Sequence, residues 1–555
     1  MIRDDIAKLL HKAIRKAQQK EALREFEIPT IPVERPKQEG RGDLASPICL
    51  QMASLARMAP MRIAEIVIPL ISKTDYLSKV EFAPPGYINL YLDPQWVAQQ
   101  VRVILDAGER FGDVPLGDHK KVQVEYISAN PTGPLHIGSG RNAVIGDALA
   151  NVLEAGGYEV QREYYVNDAG TQMGLFAETL YARYAQALGS NEAVPEGGYL
   201  GAYMVELGRR AVEEHGDRLL SLSKADALKE LNDIGLAYML DSIGRDAELL
   251  GIHYDRYFSE RSLYQDGTFG RVMSILREGG HVVEKDGAVW FSAGTGGKEK
   301  DEVIIRSNGT PGYFASDIAY HYDKFVRRGF DRVIDVWGAD HQGHVPRMYA
   351  MMKALGLDPQ RLSIILYQLV TLKRSGEVVR LSKRTGDIVT LREVLEDVGA
   401  DAVRFFLLSR AAESQMDFDL DLAKEQSNEN PVYYIQYAHA RICSIVRVAQ
   451  ERDQLGKHGN LALLTHPMEQ ALIQSMIMLP EIVKLAAETL APHHLAAYAQ
   501  ELAGHFHAFY RDCRVVSSDA ADEELTQARL ELVQAARIVL ARVLKLMGMS
   551  TPEQM

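Results

Sequence analysis

The stretch Asn130-Pro131-Thr132-Gly133-Pro134-Leu135-His136-Ile137-Gly138-Ser139-Gly140 restricts this chain more than any other. It follows the strand-like run VQVEYIS (122–128) and leads into RNAVIGDALANVLEAGG, whose closing glycine pair is a helix C-cap signal, and then into a further strand, EVQREYYV. A strand, a glycine-bearing turn, a helix and a second strand make a β-α-β unit, and such units build parallel sheets. In open sheets of this kind ligands bind at the carboxyl ends of the strands, beside helix N-termini whose free amides attract phosphate. Glycine-rich backbone approaches phosphates closely, and His136 adds a side-chain donor. The spacing of Gly133 and Gly138 imitates a Walker A loop, but no Lys-Ser/Thr pair follows, and SAGTGGK, ending at Lys298, lacks the leading glycine. A P-loop is excluded.

The remaining sequence falls into place around this unit. Residues 1–115 combine helical spacing at the N-terminus, a second helical pattern from Pro47 to Ile71 and the turn-bounded strands VEFAP and YINLYL, which reads as a small α+β module. Residues 116–390 carry the α/β rhythm: a mostly helical, charged insertion at about 172–300 interrupts it, and strand RVIDVW (332–337), helix VPRMYAMMKAL and strand LSIILYQLV (362–370) resume it. After Leu391 strands are expected to disappear. Residues 391–430 read as a connecting helical segment, and 431–555 as a helix bundle in which Leu532, Ala536, Val539, Val543 and Leu546 repeat at spacings of three and four. A chain of 555 residues accommodates several such domains.

The net charge of −13 is unevenly spread. Residues 1–60 hold 11 Lys+Arg against 8 Asp+Glu, and residues 431–555 hold 11 against 13 with seven of the sixteen histidines, so the acidic excess sits in the middle. Near-neutral ends permit contact with a polyanion, while an acidic centre suits a cationic small molecule. Cys49, Cys443 and Cys513 form no CxxC pair, which argues against a disulfide framework or cysteine-bound zinc and fits a cytoplasmic setting. No apolar run reaches membrane-spanning length, and the charged N-terminus lacks a secretory signal's apolar centre.

PLHIGSG resembles the HIGH signature of class I aminoacyl-tRNA synthetases, and NPTGPLHIGSGRNAVIGD followed by REYYVNDAGTQ resembles its arginyl-tRNA synthetase version. FSERSLY (258–264), GYFASDIAYHYDKF (312–325), VWGADHQGHVPRM (336–348), RLSKRTGD (380–387) and NPVYYIQYAHARICSIVR (430–447) follow that family in order. The resemblance implies an α/β catalytic domain with a Rossmann-like parallel sheet and an insertion. It also implies an N-terminal α+β module touching the outer corner of tRNA and a C-terminal all-α bundle reading the anticodon. The implied activity is arginine–tRNA ligation: arginine and ATP give arginyl-adenylate and pyrophosphate, and arginine then passes to the terminal adenosine of tRNA(Arg). Such chemistry needs positioning and charge neutralisation at phosphate more than a protein nucleophile.

By the same resemblance, His136 and Lys383 are the catalytic candidates, His136 bonding the phosphate chain and Lys383 closing over pyrophosphate from the KMSKS-like run Arg380-Leu381-Ser382-Lys383-Arg384. Arg380 replaces that motif's first lysine, and Ser382 belongs to the same ATP-contacting loop. Gly133 lies beside the phosphates, and Gly138 lets adenine pack against backbone. Ser139 stands where the signature has its second histidine; it is expected to cap the helix while its hydroxyl remains available to ATP. Gly338, Asp340 and His341 are assigned to the nucleotide, with His341 also near the amino acid. Asn130 matches a contact to the α-amino group, and Glu260, Tyr313 and Asp317 match contacts to the guanidinium, for which anionic, bidentate partners are chemically suited. Tyr87, Asn89, Tyr437 and His439 are candidates for tRNA. Mg2+ is expected on the nucleotide and not in a protein cage; HQGH, with two histidines three apart and no third ligand, is a weak zinc pattern. The family implies a monomer.

Overall fold

The computed structural model describes all residues except 37, 39, 293–301, 381–387 and 457, and leaves the side chain of Thr171 undescribed. Its centre is a five-stranded parallel sheet made of β1 (Lys121–Glu125), β2 (Glu159–Val166), β3 (Arg256–Ser259), β4 (Arg332–Gly338) and β5 (Leu362–Tyr367), in the order β5-β4-β1-β2-β3. The strand order reverses direction between β1 and β4, which opens a crevice at their carboxyl ends. Helix α1 (Ile137–Ala155) leaves that crevice. It is buried nearly all round, which explains why its sequence is apolar with little amphipathic alternation. Gly146 sits where a Cβ would lie 2.3 Å from the Tyr126 ring, so only glycine lets the helix settle on the end of β1.

The insertion differs from its expected form. It contributes β3 to the main sheet, paired with β2 from Glu163↔Arg256 to Val166↔Ser259, between three long helices and a three-stranded antiparallel sheet. Four residues are too few for periodicity to reveal a strand amid helical sequence. The expected 362–370 strand also divides: β5 ends at Tyr367, and Val370–Arg374 joins another sheet with Glu377–Val378 and Met416–Asp419. Strands therefore do not disappear after Leu391. Met416–Asp419 alternates buried Met416 and Phe418 with Asp417 and Asp419, an alternation too short to stand out in the sequence.

The N-terminal module has its own core, including Ile6, Leu10, Ile14, Ile48, Met52, Ile63, Ile88 and Leu90. Helix Pro94–Ala107, capped by Asp93 and begun by proline, instead buries Val97, Val101 and Ile104 in the core shared by the catalytic sheet and the C-terminal helices. The bundle comprises Pro431–Glu451, Pro467–Met476, Leu479–Thr489, His494–Asp512 and Glu523–Leu546, and Leu532, Ala536, Val539, Val543 and Leu546 are all buried. Polar pairs dock the module on it: Arg3 with Glu481 at 2.7 Å and Lys484 with Asp4 at 3.1 Å. No helix among the described residues is long and apolar enough to cross a membrane.

Candidate active site

The crevice is organised by the turn out of β1. Ile127 and Ser128 hold positive φ of 63° and 41°, a strained conformation for a β-branched residue. Asn142 of α1 holds it in place. Its Oδ1 accepts from the Ile127 amide at 2.5 Å and its Nδ2 donates to the Val336 carbonyl at 2.7 Å, tying together the ends of β1 and β4.

His136, not Ser139, caps α1. Its extended backbone (φ −112°, ψ 174°) ends the loop, and its Nδ1 accepts from the amides of Gly138 at 3.0 Å and Ser139 at 3.4 Å. Ser139 is the helix's third residue and is buried. The reason is tertiary: His136 forms an antiparallel bridge with Thr390, and the Leu391 amide donates to the Leu135 carbonyl at 2.8 Å, so the chain stays extended through His136. With Nδ1 occupied as an acceptor, the neutral ring carries its hydrogen on Nε2 and presents it as a donor. Desolvation by the surrounding protein pushes the imidazole pKa below its ordinary value and favours that neutral form. A Cβ on Gly138 would lie 2.8 Å from His136 Cε1, so this glycine makes room for the histidine ring.

The same bridge holds Thr390, which lies beyond the KMSKS-like run. Thr390 caps helix α2 (Leu391–Val398) through a reciprocal capping box, its Oγ1 accepting from the Glu393 amide at 3.2 Å and its amide donating to Glu393 Oε2 at 3.0 Å. Leu391 packs where a Cβ on Gly140 would lie 2.7 Å away. Ser382 and Lys383 lie outside the described residues; Arg380, just before them, is exposed.

Helix α3 (Tyr313–Tyr322) carries Tyr313 and Asp317 four apart on one face. Tyr313 is 57% exposed, whereas Asp317 is half-buried. Glu260, just beyond β3, is buried and accepts from the Ser316 hydroxyl, which also meets the Tyr264 hydroxyl at 2.6 Å. Burial raises both carboxyls. That of Asp317 is pushed up to about 7, with His321 opposing the shift and Glu260 and Glu125 adding to it; Glu260 is raised chiefly by burial. Among the described residues neither carboxylate forms an ion pair.

Asn130 accepts from Asn167 Nδ2 at 3.1 Å. Neighbouring Asp168 accepts from Ser259 Oγ at 2.6 Å and from the Arg261 amide at 2.9 Å, tying the end of β2 to the segment bearing Glu260. Asn142, Asn167 and Asp168 escaped the sequence reading as site residues, although VND directly ends a strand. Gly133 lies against Tyr203, whose hydroxyl donates to the Thr132 carbonyl at 2.6 Å and brings an insertion helix to the loop. Beyond β4, Asp340 and His341 lie in one exposed turn with Nε2 and Oδ2 3.5 Å apart, and a Cβ on Gly338 would strike Asp340 Oδ1 at 2.4 Å. Asn130, His136, Glu260, Asp340 and His341 all follow carboxyl ends of sheet strands. Among the described residues no three His, Cys, Asp or Glu side chains are grouped to ligate a metal.

The tRNA candidates separate by burial. Asn89 is 2% exposed and His439 4%, the latter's Nδ1 bonded to the Pro552 carbonyl at 2.9 Å; buried side chains like these present no face to a base. Tyr87 is half-buried. Tyr437 lines a groove of about 990 Å³ with Arg441, Arg447, Tyr510, Arg511 and Arg514. The Arg441 guanidinium lies over the rings of Tyr437 and Tyr510 at 4.4 and 4.5 Å. The sequence reading named Tyr437 here but not the arginines beside it in YAHARICSIVR.

Three family models match in chain order: the arginyl tRNA synthetase N-terminal domain over residues 4–92, the class I (R) tRNA synthetase catalytic domain over 100–210 and 223–419, and the DALR anticodon binding domain over 435–555. The chain belongs to the arginyl-tRNA synthetase family. It is 51% identical over 554 residues to the arginine–tRNA ligase of Dehalococcoides mccartyi, covering 100% of this chain and 99% of that one. Its identity to the Carboxydothermus hydrogenoformans arginine–tRNA ligase is 48% over 526 residues, 94% of each. The Thermus thermophilus arginyl-tRNA synthetase structure, 23% identical, covers both chains completely with a TM-score of 0.78 and shows the shared fold.

Proposed function

We propose that this chain activates arginine with ATP to arginyl-adenylate and pyrophosphate, then transfers arginine to the 3′-terminal adenosine of tRNA(Arg). The observation that carries the reading is the pair Glu260 and Asp317, buried or half-buried acids with no ion-pair partner among the described residues, Glu260 lying beyond the carboxyl end of β3 as His136 lies beyond that of β1. A guanidinium supplies the charge such a pair needs. In this reading Asp317, Glu260 and Tyr313 take the guanidinium and Asn130 the α-amino group. The amides and Nε2–H of the His136 turn meet the phosphates, with Gly133 and Ser139 beside them. Gly338, Asp340 and His341 flank the nucleoside. Arg380, Ser382 and Lys383 close over pyrophosphate, and Mg2+ enters with ATP as part of the substrate. The Arg- and Tyr-lined groove at Tyr437 takes unpaired bases by stacking and charge. Three buried thiols suit a reducing, cytoplasmic compartment.

Arginine-dependent ATP–pyrophosphate exchange, run with and without tRNA(Arg), tests the reading. Exchange driven by arginine alone among the amino acids supports it; exchange with another amino acid, or none with cognate tRNA present, overturns it. Lys383→Ala is expected to lower turnover by about 10²–10³ while the arginine KM moves by less than about threefold, because the contact forms mainly in the transition state. Unchanged turnover rejects that role.

Acidity supplies a further expectation. Arginine binds the ionised form of Asp317, whose free-site pKa is about 7, and the guanidinium keeps its charge throughout this range. Below that pH a proton competes with the substrate, so the arginine KM rises by up to about tenfold per pH unit and levels off above it. An arginine KM independent of pH between about 5.5 and 8.5 contradicts this linkage.

A further inference from the structure

Behind Asp317 lies a row of buried acids. Asp335 of β4, Glu125 of β1 and Glu163 of β2 are register partners on three adjacent parallel strands, Asp335↔Glu125 and Glu125↔Glu163, so they rise from one face of the sheet. All three are buried. Helix α3 and the wide turn that continues it, Asp323–Arg327, set a base over each. His321 Nε2 lies 2.9 Å from Asp335 Oδ2. Lys324 Nζ donates to Asp335 Oδ1 at 2.9 Å and to Glu125 Oε2 at 2.6 Å. Arg328 grips Glu163 with both terminal nitrogens, one at 2.9 Å from Oε1, and the Tyr320 hydroxyl donates to the same oxygen at 2.5 Å.

His321 also touches the pocket directly. Its Nδ1 lies 2.8 Å from the backbone carbonyl oxygen of Asp317, one turn earlier. Each ring nitrogen thus lies within hydrogen-bond distance of an oxygen that only accepts, one on the sheet and one in the Asp317 turn. Burial alone would raise Asp335, but Lys324 and His321 overcome it and hold the carboxyl below its usual range, ready to accept.

Buried ion pairs are a poor way to fasten a helix to a sheet, since apolar side chains of similar volume do so equally well or better. What paired charges add is register. If α3 slid or rotated by one residue, three desolvated carboxylates would lose their partners, which is strongly unfavourable for buried charge. The wide turn adds one residue between the helix and Arg328, as expected where helical phase must be adjusted.

We infer that the ladder His321–Asp335, Lys324–Glu125 and Arg328–Glu163 is a positioning device for the arginine pocket, and that His321 is the positioning residue that fixes the Asp317 turn against the sheet. This rests on the reading of Asp317 as guanidinium partner. Wild-type exchange is therefore measured first: no arginine dependence there overturns that reading, independently of the ladder.

With arginine dependence established, His321→Gln and Asp335→Asn are compared with wild type in tRNA-supported exchange. Each is expected to raise the arginine KM by about tenfold while the ATP KM stays within about twofold. A role confined to holding the fold would lower the folded, active fraction and hence apparent kcat, leaving the arginine KM in place. An unchanged arginine KM in either folded variant, or equal shifts for arginine and ATP, overturns the inference. The unmodified protein gives a readout that does not depend on the variants folding. Saturating arginine is expected to slow amide exchange through residues 317–328 and in β4, and protection confined to residues 313–318 overturns the inference.

Discussion

Asp317→Asn is expected to raise the arginine KM by about 100-fold, roughly 3 kcal/mol, with turnover at saturation far less affected. The side chain keeps its shape and loses only its charge. Removing one member of a desolvated charge pair costs about 2–5 kcal/mol, because the remaining ion is left without compensation. Here the remaining ion is the substrate's guanidinium, and Glu260, committed to the Ser316 hydroxyl, compensates in part. Citrulline, which replaces the guanidinium by a neutral urea, sharpens the test. Wild type is expected to reject it, since burying Asp317 against a neutral group leaves the acid unpaired, and Asp317→Asn is expected to narrow the preference for arginine over citrulline by at least about tenfold. The measurement is competitive exchange with both amino acids. A variant that discriminates as wild type does would remove Asp317 from the pocket.

His136→Ala is expected to lower turnover by about 10²–10³ with the arginine KM within about threefold, as for the loss of one preorganised donor to a phosphate in the transition state. The substitution removes both the Nδ1 cap of α1 and the Nε2–H proposed to meet phosphate. Loss of the cap alone costs about 1 kcal/mol of stability. His136→Asn separates the two. Asparagine is a favoured N-cap and restores acceptance of the helix amides, yet its short side chain does not reproduce the outward donor. Thermal melting should therefore find Asn more stable than Ala, while exchange assays find both similarly slow. Recovery of turnover by Asn would reduce His136 to a structural cap.

Legibility of the site followed the distance over which its determinants act. The β-α-β unit and the glycine turn were readable because strand, turn and helix signals lie within a few residues of one another, whereas Tyr313 and Asp317 were named only through the family resemblance. The capping of α1 was misread for a reason outside the segment. Ser139 is a good cap by type, but the bridge from Thr390, some 250 residues away, keeps the chain extended through His136. Asn89 and His439 looked available in sequence because burial is a property of neighbours; Asn89 alternates with core residues Ile88 and Leu90, and His439 meets the chain's far end at Pro552. The strands β3 and Met416–Asp419 were hidden by their brevity, four residues each.

The ladder shows where reading along the chain stops. Glu125 ends its strand, whereas Glu163 and Asp335 lie within theirs, and none of the three stands out along the chain. Only strand order and register, β4 beside β1 beside β2, place them in a row, and only then does the spacing of His321, Lys324 and Arg328 acquire meaning.

The sequence by itself determined the domain types and the family and named candidate side chains for the chemistry, because helix and strand periodicity, turn residues and contiguous motifs are local encodings of backbone preference. Tertiary structure alone decided which histidine nitrogen is left to donate, which candidate bases are out of reach and which acids lack a cation. Those properties depend on hydrogen-bond partners and desolvation supplied by segments hundreds of residues apart, and no local pattern carries them.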